Sequence, residues 1–200
     1  MANKVRITYN APVTLNFSLV CALVLIISRL IMPHLILVLF SAPARQGCPG
    51  AFNWTNPIHY LRLFTHVFGH AGWNHLVGNL AFILLLGPLL EERYGSRLLL
   101  LMIMVTAFVT GILNAVFLST GLMGASGIAF MMILLSSFGS VQKDGIPLTF
   151  LLALIIYLGR EVAAIFVDDN ISNFAHIAGG LCGSIFGFAA APIKRKRNAS

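Results

Sequence analysis

The stretch from Gly121 to Phe138, Gly-Leu-Met-Gly-Ala-Ser-Gly-Ile-Ala-Phe-Met-Met-Ile-Leu-Leu-Ser-Ser-Phe, constrains this chain more than any other. It sets Ser126 between Gly124 and Gly127 at the head of an apolar helix, and polar residues resume at Ser140, Gln142, Lys143 and Asp144. From Ser126 to Phe138 is 12 residues, or about 18 Å of helix at ~1.5 Å per residue, against a hydrocarbon core about 30 Å thick. The serine therefore starts inside the bilayer, with roughly 10 Å of membrane above it. Irregular backbone at that depth is tolerated only where it is buried in protein or lines a water-filled cavity. Gly121 to Gly127 must do one or the other.

The bilayer is the relevant solvent because 58% of the 200 residues are hydrophobic and only 10% are charged. That composition excludes a soluble domain and predicts an all-α, polytopic membrane protein. The net charge of +7 does not point to nucleic acid, since the cations sit at segment ends and in the run Lys194 to Arg197. Cys21 and Cys182 lie in apolar segments and Cys48 in a loop, which leaves neither a disulfide framework nor a zinc-type cysteine pair.

One membrane domain over residues 1–200 follows, with spans at about 13–32, 72–90, 98–118, 126–140, 147–167 and 174–191. The amino terminus has the charge order of a signal peptide but no small-residue cleavage site, so its apolar run reads as the first span, with Arg29 snorkelling near its far end. Pro33 breaks it. Residues 33–62 read as a membrane-associated loop, because His34 to Phe40 is too short to cross and Phe52, Trp54 and Tyr60 suit an interface. Glu91-Glu92-Arg93 closes the second span, and Pro192 with the basic tail closes the sixth. Lys4, Arg6, Arg93, Arg97, Lys143 and the tail fall on one side, against Arg45 and Arg62 on the other, which makes both termini cytoplasmic. Asp168 and Asp169 are then outside. Arg160 and Glu161 are about 100° apart on a helix and read as structural residues with different partners.

Depths can then be compared. His75 and Asn79 share one helix face about 24 and 18 Å above Glu91, and His176 lies about 24 Å above Pro192, in the same layer as Ser126 at about 18 Å. A hydroxyl, two imidazoles and an amide so assembled suit acyl transfer. Serine needs a base to take its proton, and histidine has the pKa to do so. His176 is that base. The Ser126 amide, Asn79 and His75 are the candidate oxyanion donors. Glu161, Asp168 and Asp169 have no register that orients His176, so a dyad is expected rather than a triad. Ala175, Gly179 and Gly183 recur at four-residue spacing as a close-packing seam, Gly127 offers a matching lack of bulk, and Phe130, one turn beyond Ser126, is placed to hold the imidazole. His66 and His70 read as hydrogen-bonded structural residues. The chain lacks the His-Glu-x-x-His pattern of a metalloprotease, so neither metal nor cofactor is expected.

These residues resemble the rhomboid intramembrane serine proteases of the six-span bacterial type, from Pro12 onward. Gly124-Ala125-Ser126-Gly127 is similar to the family's Gly-x-Ser-Gly, and Ala175-His176-x-x-Gly179-x-x-x-Gly183 to its Ala-His-x-x-Gly-x-x-x-Gly. Phe64-Thr65-His66-x-x-x-His70-x-x-x-x-His75-x-x-x-Asn79 resembles the second-span block, and Glu91-x-Arg93-x-Gly95-Ser96 the close of that helix. Leu61-Arg62 stands where many members carry Trp-Arg, and Phe130 where tyrosine is common. The resemblance implies a six-helix bundle with a short central fourth helix, a bacterial inner-membrane address and transmembrane proteins as substrates. It also implies lateral access between spans two and five. The alternative is a non-enzymatic protein, either an inert relative that binds transmembrane clients or a transporter using the polar layer.

Overall fold

The computed structural model describes residues 9–141 and 171–189, together with positions 148 and 155. Apart from those two positions, the expected fifth span at 147–167 lies outside the described residues. So do Lys4, Arg6, Lys143, Arg160, Glu161, Asp168, Asp169 and the tail from Pro192.

The described elements are α1 (Pro12–Leu30), α2 (Leu35–Leu39), α3 (Pro57–Thr65) running into a 3-10 turn at His66–Phe68, α4 (Trp73–Tyr94), α5 (Ser96–Phe117), α6 (Ser126–Val141) and α7 (Ile171–Ala189). α1, α4 and α5 are each long and apolar enough to cross a membrane, and the protein is an integral membrane helical bundle. α6 is the shorter helix that the sequence requires, 16 residues or about 24 Å. It touches α4, α5 and α7. Ile128, Ala129, Phe130, Met131 and Met132 are all fully buried, as a helix apolar on every side must be.

Residues 33–62 differ from the expected loop. They hold the short α2 and most of α3, which continues past 62 to Thr65. α3 starts where Asn56 Oδ1 accepts the Ile58 amide at 3.0 Å and Pro57 occupies the first turn. The upstream turn residues Pro43, Gly47, Pro49 and Gly50 obscure that start signal in the sequence.

Two tethers set the bundle. α1 opens on Ala11, which has no capping side chain, and carries no acid in its first turn. Glu91 of α4 supplies the cap instead: it accepts the Val13 amide at 2.9 Å, the Thr14 amide at 3.0 Å, the Thr14 hydroxyl at 2.9 Å and the Ser96 hydroxyl at 2.7 Å. A carboxylate at a helix N-terminus satisfies orphan amides and opposes the positive end of the macrodipole. At the other end of α1, Arg29 Nη2 donates to the Ala71 carbonyl at 2.7 Å, a defined partner for the side chain expected to snorkel.

The segment leading into Ser126 is laced to the first loop. Ala42 and Leu122 exchange backbone hydrogen bonds at 2.7 and 3.2 Å, and the Arg45 amide donates to Leu118 at 2.8 Å. Asn114 Nδ2 donates to Pro43 at 2.9 Å and to Thr120 at 3.0 Å, joining both loops to the end of α5. Leu122 and Gly124 to Gly127 are buried, so the irregular backbone here meets its partners inside the protein.

Candidate active site

Ser126 is the first residue of α6 and only 8% exposed. The backbone before it is held by two histidines. The Gly124 amide donates to the His66 carbonyl at 3.0 Å, and the Ala125 amide to His70 Nε2 at 3.4 Å. With Nε2 accepting, His70 carries its proton on Nδ1, which lies 3.2 Å from the Phe68 carbonyl. Both ring nitrogens therefore serve the loop. His66 Nε2 lies 3.2 Å from Thr110 Oγ1, and that hydroxyl donates onward to the Thr106 carbonyl at 2.8 Å. Among the described residues the buried Nδ1 of His66 meets no hydrogen-bond criterion. The first amides of α6 have no partner within the helix, so Ser126 stands at a positive helix end.

Gly124 has φ +126°, a left-handed conformation that favours glycine. A Cβ there would also fall 2.7 Å from His75 Cε1, 2.8 Å from His75 Nε2 and 3.8 Å from Asn79 Nδ2. The absence of a side chain thus lets both α4 residues reach the backbone two positions before Ser126. Asn79 is 5% exposed, and its Nδ2 makes no hydrogen bond among the described residues. His75 is half-buried, meets His70 edge-on at 5.1 Å between ring centroids, and lies within electrostatic reach of His176.

His176 comes from α7 and is 8% exposed. Its ring stacks on Phe130 at 4.6 Å and 13°. Phe130 lies four residues beyond Ser126, on the same face of α6. The two helices approach backbone to backbone: Gly179 sits over Gly127, Gly183 over Met131, and Gly127 beside the Ala175 carbonyl. Helices α4, α6 and α7 therefore bring Ser126, His75, Asn79, Phe130 and His176 around Gly124 to Gly127. A cavity of about 360 Å³, lined by Arg29, His70, Ala71 and Met123 among others, borders the same loop.

Sequence reasoning missed the polar face of α5 that supports this arrangement. Thr106, Thr110 and Asn114 recur every four residues inside an apolar run, and all three are buried. That spacing was the available signal, because polar side chains on one face of a membrane helix require partners.

Comparison with known proteins adds an independent line. The Rhomboid domain family model matches residues 57–193. The chain is 27% identical over 189 residues to the Rhomboid protease GlpG of Salmonella newport and of Salmonella typhimurium, covering 93% of this chain and 66% of each relative. It is 29% identical over 150 residues to RHOMBOID-like protein 7 of Arabidopsis thaliana, covering 70% of this chain and 46% of that protein. The chain thus spans between about half and two thirds of the length of these relatives.

Proposed function

We propose that this chain, which belongs to the rhomboid family, is an intramembrane serine endopeptidase that hydrolyses a peptide bond in or beside a transmembrane segment of a membrane-protein substrate. The Ser126 hydroxyl attacks the scissile carbonyl carbon while His176 takes its proton. His176 then returns the proton to the departing amine, leaving an acyl-enzyme on Ser126. A water that gives its proton to the same imidazole hydrolyses that ester. Charge gathers on the former carbonyl oxygen in each tetrahedral intermediate. The Ser126 amide, Asn79 Nδ2 and His75 receive it, with the positive end of α6 behind them.

One observation carries this reading: among the described residues Asn79 Nδ2 is buried without a hydrogen-bond partner, beside Gly124, two positions before Ser126. A buried donor without a partner costs about 1–3 kcal/mol, and an oxyanion relieves that cost only when the reaction forms one. Phe130 and the close α6 and α7 packing hold His176 in register. Gly124, Gly127, Gly179 and Gly183 make that packing possible.

In this reading the protein has six spans, both termini in the cytoplasm of a bacterial cell and the site wetted from outside. A substrate helix has to unwind locally to expose its bond, because a helical amide is engaged along the chain. The reaction needs no cofactor. Purified protein should cleave a fluorogenic single-span substrate in detergent, and Ser126→Ala or His176→Ala should reduce turnover by at least about a thousand-fold. Cleavage that survives Ser126→Ala and stops with a chelator would replace this reading with a metal-dependent one. Binding of the substrate without cleavage would replace it with client capture.

A further inference from the structure

A second concave feature lies away from Ser126, between α3 and α5. It has a volume of about 500 Å³, lined by Tyr60 and Leu63 of α3, by Phe108, Ile112 and Val116 of α5, and by the exposed Arg45. The Arg45 amide is bonded to Leu118 at the end of α5. Phe108, ten residues earlier, is therefore about 15 Å deeper along the axis. That is the depth of one leaflet of a hydrocarbon core about 30 Å thick.

The volume selects the occupant. One turn of helix with its side chains, a cylinder roughly 10–12 Å across and 5.4 Å tall, already fills about 400–600 Å³. A cleft 15 Å deep and of 500 Å³ is too narrow for a helix and suits an extended hydrocarbon chain. The walls are fixed: Phe52 packs edge-on against Tyr60 at 5.0 Å and Trp54 at 4.9 Å, and the Tyr60 hydroxyl donates to the Trp54 carbonyl at 3.1 Å.

The charge on Arg45 selects the head group. The sequence contains no aspartate or glutamate before Glu91. Arg62 is occupied, donating to the Ser41 carbonyl and lying 3.4 Å from His59 Nε2. Arg45 is exposed, and its guanidinium has no hydrogen-bond or ion-pair partner among the described residues. Trp54 and Tyr60, which line the cleft with Arg45, are amphipathic side chains of the kind that favour the head-group level.

We propose that the α3 and α5 cleft holds one anionic phospholipid from the surrounding leaflet, with an acyl chain against Phe108 and Ile112 and the phosphate on Arg45. The protein has two tryptophans, and Trp73→Phe leaves Trp54 as the reporter. In phosphatidylcholine vesicles containing increasing mole fractions of chain-brominated phosphatidylglycerol, Trp54 quenching should saturate early, as a site does. Arg45→Ala should raise the half-quenching mole fraction about five-fold. Brominated phosphatidylcholine should also need the higher fraction. Ala115→Leu, which fills the cleft while leaving Arg45 in place, should abolish early saturation. Quenching that rises linearly with mole fraction, or a half-point unchanged in Arg45→Ala, would overturn the proposal.

Discussion

Gly179 packs so tightly on Gly127 that a Cβ at position 179 would lie 2.1 Å from the Gly127 carbonyl oxygen. Among the described residues the neighbouring Gly180 faces only Leu134, whose nearest atom would be 3.6 Å away. Adjacent glycines thus predict opposite outcomes. Gly179→Ala should push α7 off α6, lower turnover about a hundred-fold through a displaced His176, and cost about 1–3 kcal/mol of stability. Gly180→Ala should leave both unchanged or raise the thermal midpoint slightly, because alanine favours helix. Turnover and thermal unfolding in detergent, measured on both variants, check the contrast.

Asn79 makes a second separable prediction. Its Nδ2 is buried without a partner among the described residues, so removing it relieves a desolvation cost that folding has already incurred. Asn79→Ala should lower kcat by about 10²–10³ with little change in KM, while the melting temperature stays level or rises. A variant that loses stability in step with activity would assign Asn79 a structural role instead.

Glu91 should behave in the reverse way. Glu91→Ala strands the amides of Val13 and Thr14 and the hydroxyls of Thr14 and Ser96. The expected loss is about 2–3 kcal/mol of stability, with normal turnover per folded molecule. Denaturant titration alongside active-site counting measures the two separately.

The four motif blocks point to the residues that the structure gathers around Gly124 to Gly127, because chemistry fixes residue type and helical spacing fixes which face each residue takes. The short α6 was legible from its length against the bilayer. Less visible were contacts between segments distant in sequence: the Ala42 to Leu122 bridge, the Asn114 clamp and the Glu91 cap each join residues that no local pattern pairs. α3 is hidden in the sequence by the turn residues upstream of Asn56. The Gly124 conformation was likewise hidden, since a Gly-Ala-Ser-Gly run states permissiveness and not the φ adopted.

The first loop carries a pH dependence. Burial, and then the Arg62 charge beside it, hold the His59 pKa below its usual 6.5. The folded loop therefore favours neutral His59, whose Nδ1 accepts the Asn53 amide at 2.9 Å. This contribution is fully present above pH ~6.5 and fades as the pH falls through the lowered value. Trp54 fluorescence in Trp73→Phe should change on acidification below pH ~6.5. His59→Gln should flatten the response.

The most direct measurement is intact mass after exposure to a serine-reactive isocoumarin. One adduct on the parent protein, mapped to Ser126, absent from Ser126→Ala and slowed at least about a hundred-fold in His176→Ala, is the predicted result. An adduct that persists in Ser126→Ala, or forms at the parent rate without His176, would contradict the account.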